Sequence, residues 1–278
     1  MTLSPPQPLP PPHDVAWSVP REQRPGEDLL VPVSITDGVV LVVWSLLGQV
    51  LVVSIMLVGL SLAGVDPTDL GGPSLGAVTV LTQSLVLAGA FAWLAGRGRW
   101  SWRLFGSRRG GLGHVLLGLS GGVLAFMVSA AVILTGNALV GPLDRPGQTL
   151  LEPEMLAGPT LVLTFVIASV LAPLLEEVTY RGVLFQVLGR RIGWRGGVVV
   201  SSLVFAVIHL EVVLPLRVEA LVFGTALFAV GCTFAVLFHR TRSLVTAIVA
   251  HATFNGVQLA LAWQQLEMLG FAGAAVGS

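Results

Sequence analysis

Lysine is absent from the 278 residues, cysteine and tyrosine occur once each, and charged residues make up only 11%. Each shortage excludes something. Soluble domains carry about 25% charged residues, so this chain cannot clothe an ordinary water-facing surface. The single Cys232 cannot close a disulfide within the chain, and its apolar setting, "VGCTFAV", suits a buried structural thiol better than a nucleophile. Acidic and basic residues balance at fifteen each, so no net positive charge draws the chain to nucleic acid. All fifteen basic residues are arginine, a compositional bias of the source.

What is abundant is apolar sequence: 54% hydrophobic residues and a mean hydropathy of +0.86. Several runs approach or exceed the ~18 apolar residues that mark a membrane helix. The expected fold is all-α, a polytopic transmembrane helical bundle of about seven spans, or eight. The runs lie near 39–63, 76–95, 112–140, 160–188, 196–210, 218–238 and 243–264. The first is longer than the ~7–15 residues of a signal-peptide core, so it is expected to remain as a span.

The chain divides accordingly. Residues 1–36 form a proline-rich tail, "SPPQPLPPPH", expected to be disordered and cytoplasmic. Residues 37–158 hold spans one to three, residues 159–264 a helical core, and residues 265–278 a C-terminal tail. Arginine sets the orientation. The N-terminal tail and the loops holding Arg97–Arg109, Arg190–Arg195 and Arg240–Arg242 carry twelve arginines, against Arg145 and Arg217 on the opposite side. The positive-inside rule then places the N-terminus in the cytoplasm and the C-terminus outside.

Three spans of the second half carry ionisable or amide groups where such groups are costly. "APLLEEVTYRG" brings Glu176, Glu177 and Arg181; "SSLVFAVIH" ends at His209; "HATFN" carries His251 and Asn255. At 1.5 Å per residue, Glu176 lies roughly 18 Å into its span, His209 about 20 Å, His251 about 12 Å and Asn255 about 18 Å. Helices running in alternate directions thus deliver these groups to similar depth, which reads as one site. Glu177 and Arg181 are four apart and share a helix face, as an ion pair requires, while Glu176 is turned about 100° away.

Such a set supports hydrolysis. A carboxylate withdrawn from water can act as a base near neutral pH, so Glu176 with His209 could hold and deprotonate a water. His251 and Asn255 could donate to the oxyanion of a tetrahedral intermediate. The same Glu176, His209 and His251 could instead hold a divalent metal such as zinc, with a fourth position open for water. The residues themselves leave the cofactor open. Two other uses exist. One is a non-catalytic membrane immunity or scaffold protein that binds peptide through the same polar cluster. The other is a proton or ion pathway, for which spans one to three offer little beyond Gln49, Thr82 and Gln83.

"EEVTYR" (176–181), "FAVIH" (205–209) and "HATFN" (251–255), in this order on separate spans, resemble the CPBP family of intramembrane proteases. That family comprises the type II CAAX prenyl endopeptidases and the Abi-like bacteriocin-processing and self-immunity proteins. The resemblance covers about residues 160–257 and implies a membrane endopeptidase acting on peptide or membrane-protein substrates within the lipid bilayer. By matching positions, it implies Glu176 and His209 for water activation, and His251 and Asn255 for the oxyanion. Glu177 and Arg181 would hold the first motif in place. The family is described both as glutamate-dependent and as metal-dependent, so the resemblance does not choose between them. The arginine-only composition suggests the plasma membrane of a high-GC bacterium. Peptide precursors, leader peptides or membrane-protein tails are then better candidate substrates than prenylated proteins.

Overall fold

The structure is a computed structural model, which describes residues 32–99, 111–143, 153–156, 158–209 and 217–268. Most of the proline-rich tail, most of the arginine-rich loop at 97–109 and residues 269–278 lie outside the described residues. Among the described residues every regular element is helical, as the sequence predicts. The elements are α1 (Ile35–Leu62), α2 (Gly72–Gly96), α3 (Gly111–Val140), a segmented helix over 158–207, α7 (Val218–Thr241) and α8 (Leu244–Met268). The segmented helix comprises α4 (Gly158–Val166), a π-helical stretch Ile167–Leu171, α5 (Ala172–Glu177), a second π-helical stretch Val178–Phe185, and α6 (Gln186–Val207). Single 3₁₀ turns at Pro67–Asp69 and Pro153–Leu156 complete the set.

Among the described residues, six helices are long and apolar enough to cross a membrane, by length and composition. The fourth, Gly158–Val207, has 50 residues. A straight helix of that size would be about 75 Å long, more than twice a ~30 Å hydrocarbon core. It is not straight. Ile192 (φ −124°, ψ 15°) and Gly193 (φ 75°, ψ 160°) leave helical geometry, and the second value is one that glycine adopts without a Cβ penalty. The chain turns back there: a Cβ on Gly197 would sit 3.0 Å from the Gly189 backbone nitrogen. The two limbs accommodate the expected spans at 160–188 and 196–210. α8 runs to Met268, four residues past the boundary at 264.

The outer faces are apolar. Leu47 is 63% exposed, Met127 62% and Leu134 67%, and an 18-residue stretch of α1 has a mean hydropathy of 2.5. A continuous apolar exterior of this kind has no place in water and matches hydrocarbon. The protein is an integral membrane protein.

Inside, helices are held by small residues and a few directed polar contacts. α3 packs most extensively against α8 and α7. A Cβ on Gly122 would lie 2.5 Å from the Ala250 carbonyl oxygen, and one on Gly118 2.6 Å from Val249 Cβ. Close backbone approach replaces the hydrophobic drive that lipid cannot supply. Gly122→Ala is therefore expected to push α3 off α8 and lower stability by about 1–3 kcal/mol. Gly59→Ala, where a Cβ meets nothing within 4 Å, is expected to leave it unchanged or slightly raised. Thermal melting of the two variants in detergent checks this.

α1 begins with a capping box. Ser34 Oγ accepts from the Asp37 N–H, and Asp37 Oδ2 accepts from the Ser34 N–H. The buried Asp37 also accepts from Trp93 Nε1 (3.2 Å) and pairs with Arg97 (3.5 Å) and Arg99 (3.7 Å). This ties the start of α1 to the end of α2. Arg190 donates to the Val33 carbonyl (2.9 Å), and Trp194 stacks on His239 at 4.7 Å. Arginines of all three basic turns are therefore near one end of the bundle. Cys232 is half-buried and packs against the main apolar core.

Candidate active site

The segment "APLLEEVTYRGVLF" is wound partly as π-helix. π-helical turns are rare, and where they occur they often mark functional positions, because the extra residue per turn re-aims side chains. Glu176 and Glu177 close α5, and the π-helical stretch Val178–Phe185 begins immediately after them. Every residue of that stretch is buried.

Glu177 and Arg181 are fully buried and form the expected ion pair, with Arg181 Nη1 2.7 Å from Glu177 Oε1. Arg181 Nη2 donates to the Gly231 carbonyl at 2.9 Å, and the guanidinium lies over the rings of Phe205 (4.8 Å) and Phe234 (5.4 Å). One arginine thereby links the glutamate segment to α6 and α7. Burying such a charge is expensive, and only this density of partners makes it tenable.

His251 adds what helical phase did not foresee. Its Nδ1 lies 2.9 Å from Glu177 Oε1, while its Nε2 faces Glu176 Oε2 at 3.8 Å. A carboxylate held by arginine only accepts, so the proton of this bond belongs on Nδ1. The imidazole is thus clamped by Glu177 and packed against Phe234 (4.9 Å between ring centres). The two glutamates do not serve separate partners; His251 stands between them. The sequence signal for this was depth alone, since nothing in "HATFN" indicates which glutamate its histidine meets.

His209, at the end of α6, shares a short contact with the Phe205 carbonyl (Nδ1, 2.7 Å), and its ring lies 4.8 Å from that of Phe205. A carbonyl accepts only, so Nδ1 carries the proton and Nε2 is left as an acceptor. Asn255 Nδ2 donates to the Ala168 carbonyl at 2.7 Å. Ala168 belongs to the π-helical stretch Ile167–Leu171, where wider turns free carbonyls from the helix ladder.

Glu176, His209, His251 and Asn255 line one cavity of about 540 Å³. Glu176 Oε2 is buried and has no hydrogen-bond donor among the protein's own groups. Glu176 and His209 share no direct bond. They meet only across the cavity, where one small molecule could touch both. Among the described residues no three His, Cys, Asp or Glu side chains are grouped to hold one metal ion. Glu176, His209 and His251 as placed are therefore not a ready coordination set. The cavity also reaches Ser45, Gln49, Thr79 and Gln83 of α1 and α2, and Gln258 of α8. These residues lie outside the three motifs, and sequence spacing gave no reason to join them to the site.

Fold and site together define a polytopic helical membrane protein with a buried carboxylate–histidine–amide cavity. Residues 158–257 match the family described as "Type II CAAX prenyl endopeptidase Rce1-like". Two curated relatives are similar over part of their length. One is YdiL of Bacillus subtilis (strain 168), whose name provisionally calls it a membrane peptidase. It is 29% identical over 93 residues, covering 34% of this chain and 34% of the relative. The other, an uncharacterized 24.3 kDa protein of Escherichia coli, is 30% identical over 127 residues, 45% of this chain and 55% of the relative. The chain thus spans about a third and about half of these two proteins. No solved structure matches it. The match over residues 158–257, which hold all three motifs, supports the CPBP family.

Proposed function

We propose that the protein is an intramembrane endopeptidase that hydrolyses peptide bonds of membrane-presented peptides or proteins with water activated by Glu176 and His209. The observation that carries this reading is the unpartnered, buried Glu176 Oε2 on the wall of a cavity shared with His209, His251 and Asn255. Glu176 takes a proton from water as the water oxygen bonds to the substrate carbonyl carbon, and returns it to the departing amine. His209, with Nδ1 tied to a carbonyl, offers Nε2 to the same water. The oxyanion is met by Asn255, which keeps one amide N–H beyond the bond to Ala168. His251 in its doubly protonated form adds a second donor from Nε2. Glu177 and Arg181 keep His251 in place, as outer partners of catalytic imidazoles do.

The match to type II CAAX prenyl endopeptidases and the name of YdiL support a protease. The arginine-rich end of the bundle is the cytoplasmic one by the positive-inside rule, which places the N-terminus inside.

The test is peptide profiling of membranes containing the wild-type protein against membranes containing Glu176→Ala. Fragments present only with the wild type are expected. Identical profiles, with both proteins folded and equally abundant, would refute the peptidase and leave a binding or scaffold role.

A further inference from the structure

Spans one to three carry no family motif, yet α1 and α2 turn two glutamines toward the cavity. Gln49 Nε2 donates to the Ser45 carbonyl at 3.0 Å, and Gln83 Nε2 donates to Gln49 Oε1 at 3.2 Å. The direction of this chain is fixed at its far end. The Ser45 carbonyl can only accept, so Gln49 presents its oxygen to Gln83, and Gln83 is left with its own oxygen unpaired. Gln83 Oε1 is buried and has no donor in the protein. Gln49 and Gln83 line the same cavity as Glu176 and His209.

A buried acceptor that finds no donor at this depth is a cost with no packing return. It suits a ligand that brings an N–H to the cavity. Backbone N–H groups are the donors every non-proline residue carries, and they are available only where a segment is not helical. Hydrolysis at Glu176 likewise needs a substrate opened from its helix, because a helical peptide bond is enclosed by its own ladder. We propose that Gln83, positioned by Gln49, is a substrate subsite that accepts a backbone N–H from an extended peptide segment lying along the cavity. The subsite rests on the peptidase reading for the identity of its ligand as a peptide. It positions substrate by its main chain, so it sets the register of the segment without selecting a side chain.

The probe is a fluorescein-labelled synthetic membrane-spanning Leu–Ala peptide with a central Gly–Gly–Ser break, bound to the full chain in nanodiscs and followed by anisotropy. A second series replaces each central amide by an ester, which removes one N–H and little else. Gln83→Leu is expected to weaken binding about tenfold. One ester position is expected to weaken wild-type binding to a similar extent, with no further loss in Gln83→Leu. Ser84→Ala is the control, since Ser84 donates to the Val80 carbonyl of its own helix and does not line the cavity.

Equal affinity of Gln83→Leu and wild type would overturn the subsite. So would an ester series that affects both proteins alike, or a wild-type protein that does not bind the peptide. Failure of the peptidase reading looks different. A peptide held in a Gln83-dependent way and never cut refutes catalysis and keeps the subsite, whereas a peptide cut at the same rate by both proteins refutes the subsite alone.

Discussion

Arg181→Met is expected to destabilise the protein by about 3–5 kcal/mol, the loss typical of leaving one member of a buried ion pair uncompensated. The side chains of Glu177 and Arg181 are both 0% exposed, so no water replaces the lost partner. Methionine fills much of the volume between Phe205 and Phe234 but leaves the Gly231 carbonyl without its donor and the Glu177 carboxylate without its guanidinium partner, held by His251 Nδ1 alone. The double variant Glu177→Gln with Arg181→Met removes both charges and is expected to recover a large part of the loss. Thermal melting in detergent measures all three. A single variant as stable as wild type would show that the guanidinium is not what joins the glutamate segment to α6 and α7.

Glu176→Gln is expected to lower peptide cleavage by about 10²–10⁴-fold, the usual contribution of a positioned general base. Melting should remain within about 0.5 kcal/mol of wild type, because Glu176 has no ion pair of hydrogen-bond length to lose. His209→Ala is expected to lose activity over the same range, since its Nε2 is the second acceptor for the attacking water. The assay is cleavage of a membrane-reconstituted peptide that the wild-type protein cuts. Near wild-type rates in either variant would remove that residue from the proposed reaction. The combination matters: activity falls without stability for Glu176, and stability falls first for Arg181.

Much of the fold was legible because a membrane simplifies the problem. Where lipid cannot satisfy a backbone, a long apolar run has helix as its only open-ended solution. The runs at 39–63, 76–95, 112–140, 218–238 and 243–264 accordingly correspond to α1, α2, α3, α7 and α8. The turn at Ile192–Gly193 was implied by "GRRIGWRG", where charge and glycine interrupt the apolar text. π-helical winding around the glutamates was not legible, since no local preference distinguishes one extra residue per turn in an apolar, buried segment.

The same division holds for the site. Spacing was enough to pair Glu177 with Arg181, because positions four apart meet on any helix. Depth counting was enough to bring Glu176, His209, His251 and Asn255 to one level. Neither could say that His251 would be held by Glu177, or that Asn255 would reach back to Ala168. Those contacts depend on how helices distant in sequence rotate about their axes, and rotation is decided by packing.

The sequence alone therefore determined the solvent of this protein, the order of its apolar spans and which residues carry costly polarity. These follow from transfer energies and helix rise, which act residue by residue. Tertiary structure decided which polar groups are partners, and it brought Gln49 and Gln83 from spans without a motif onto the wall of the same cavity. A cavity is a property of several helices at once: its walls come from α1, α2, the segmented helix, α7 and α8 together.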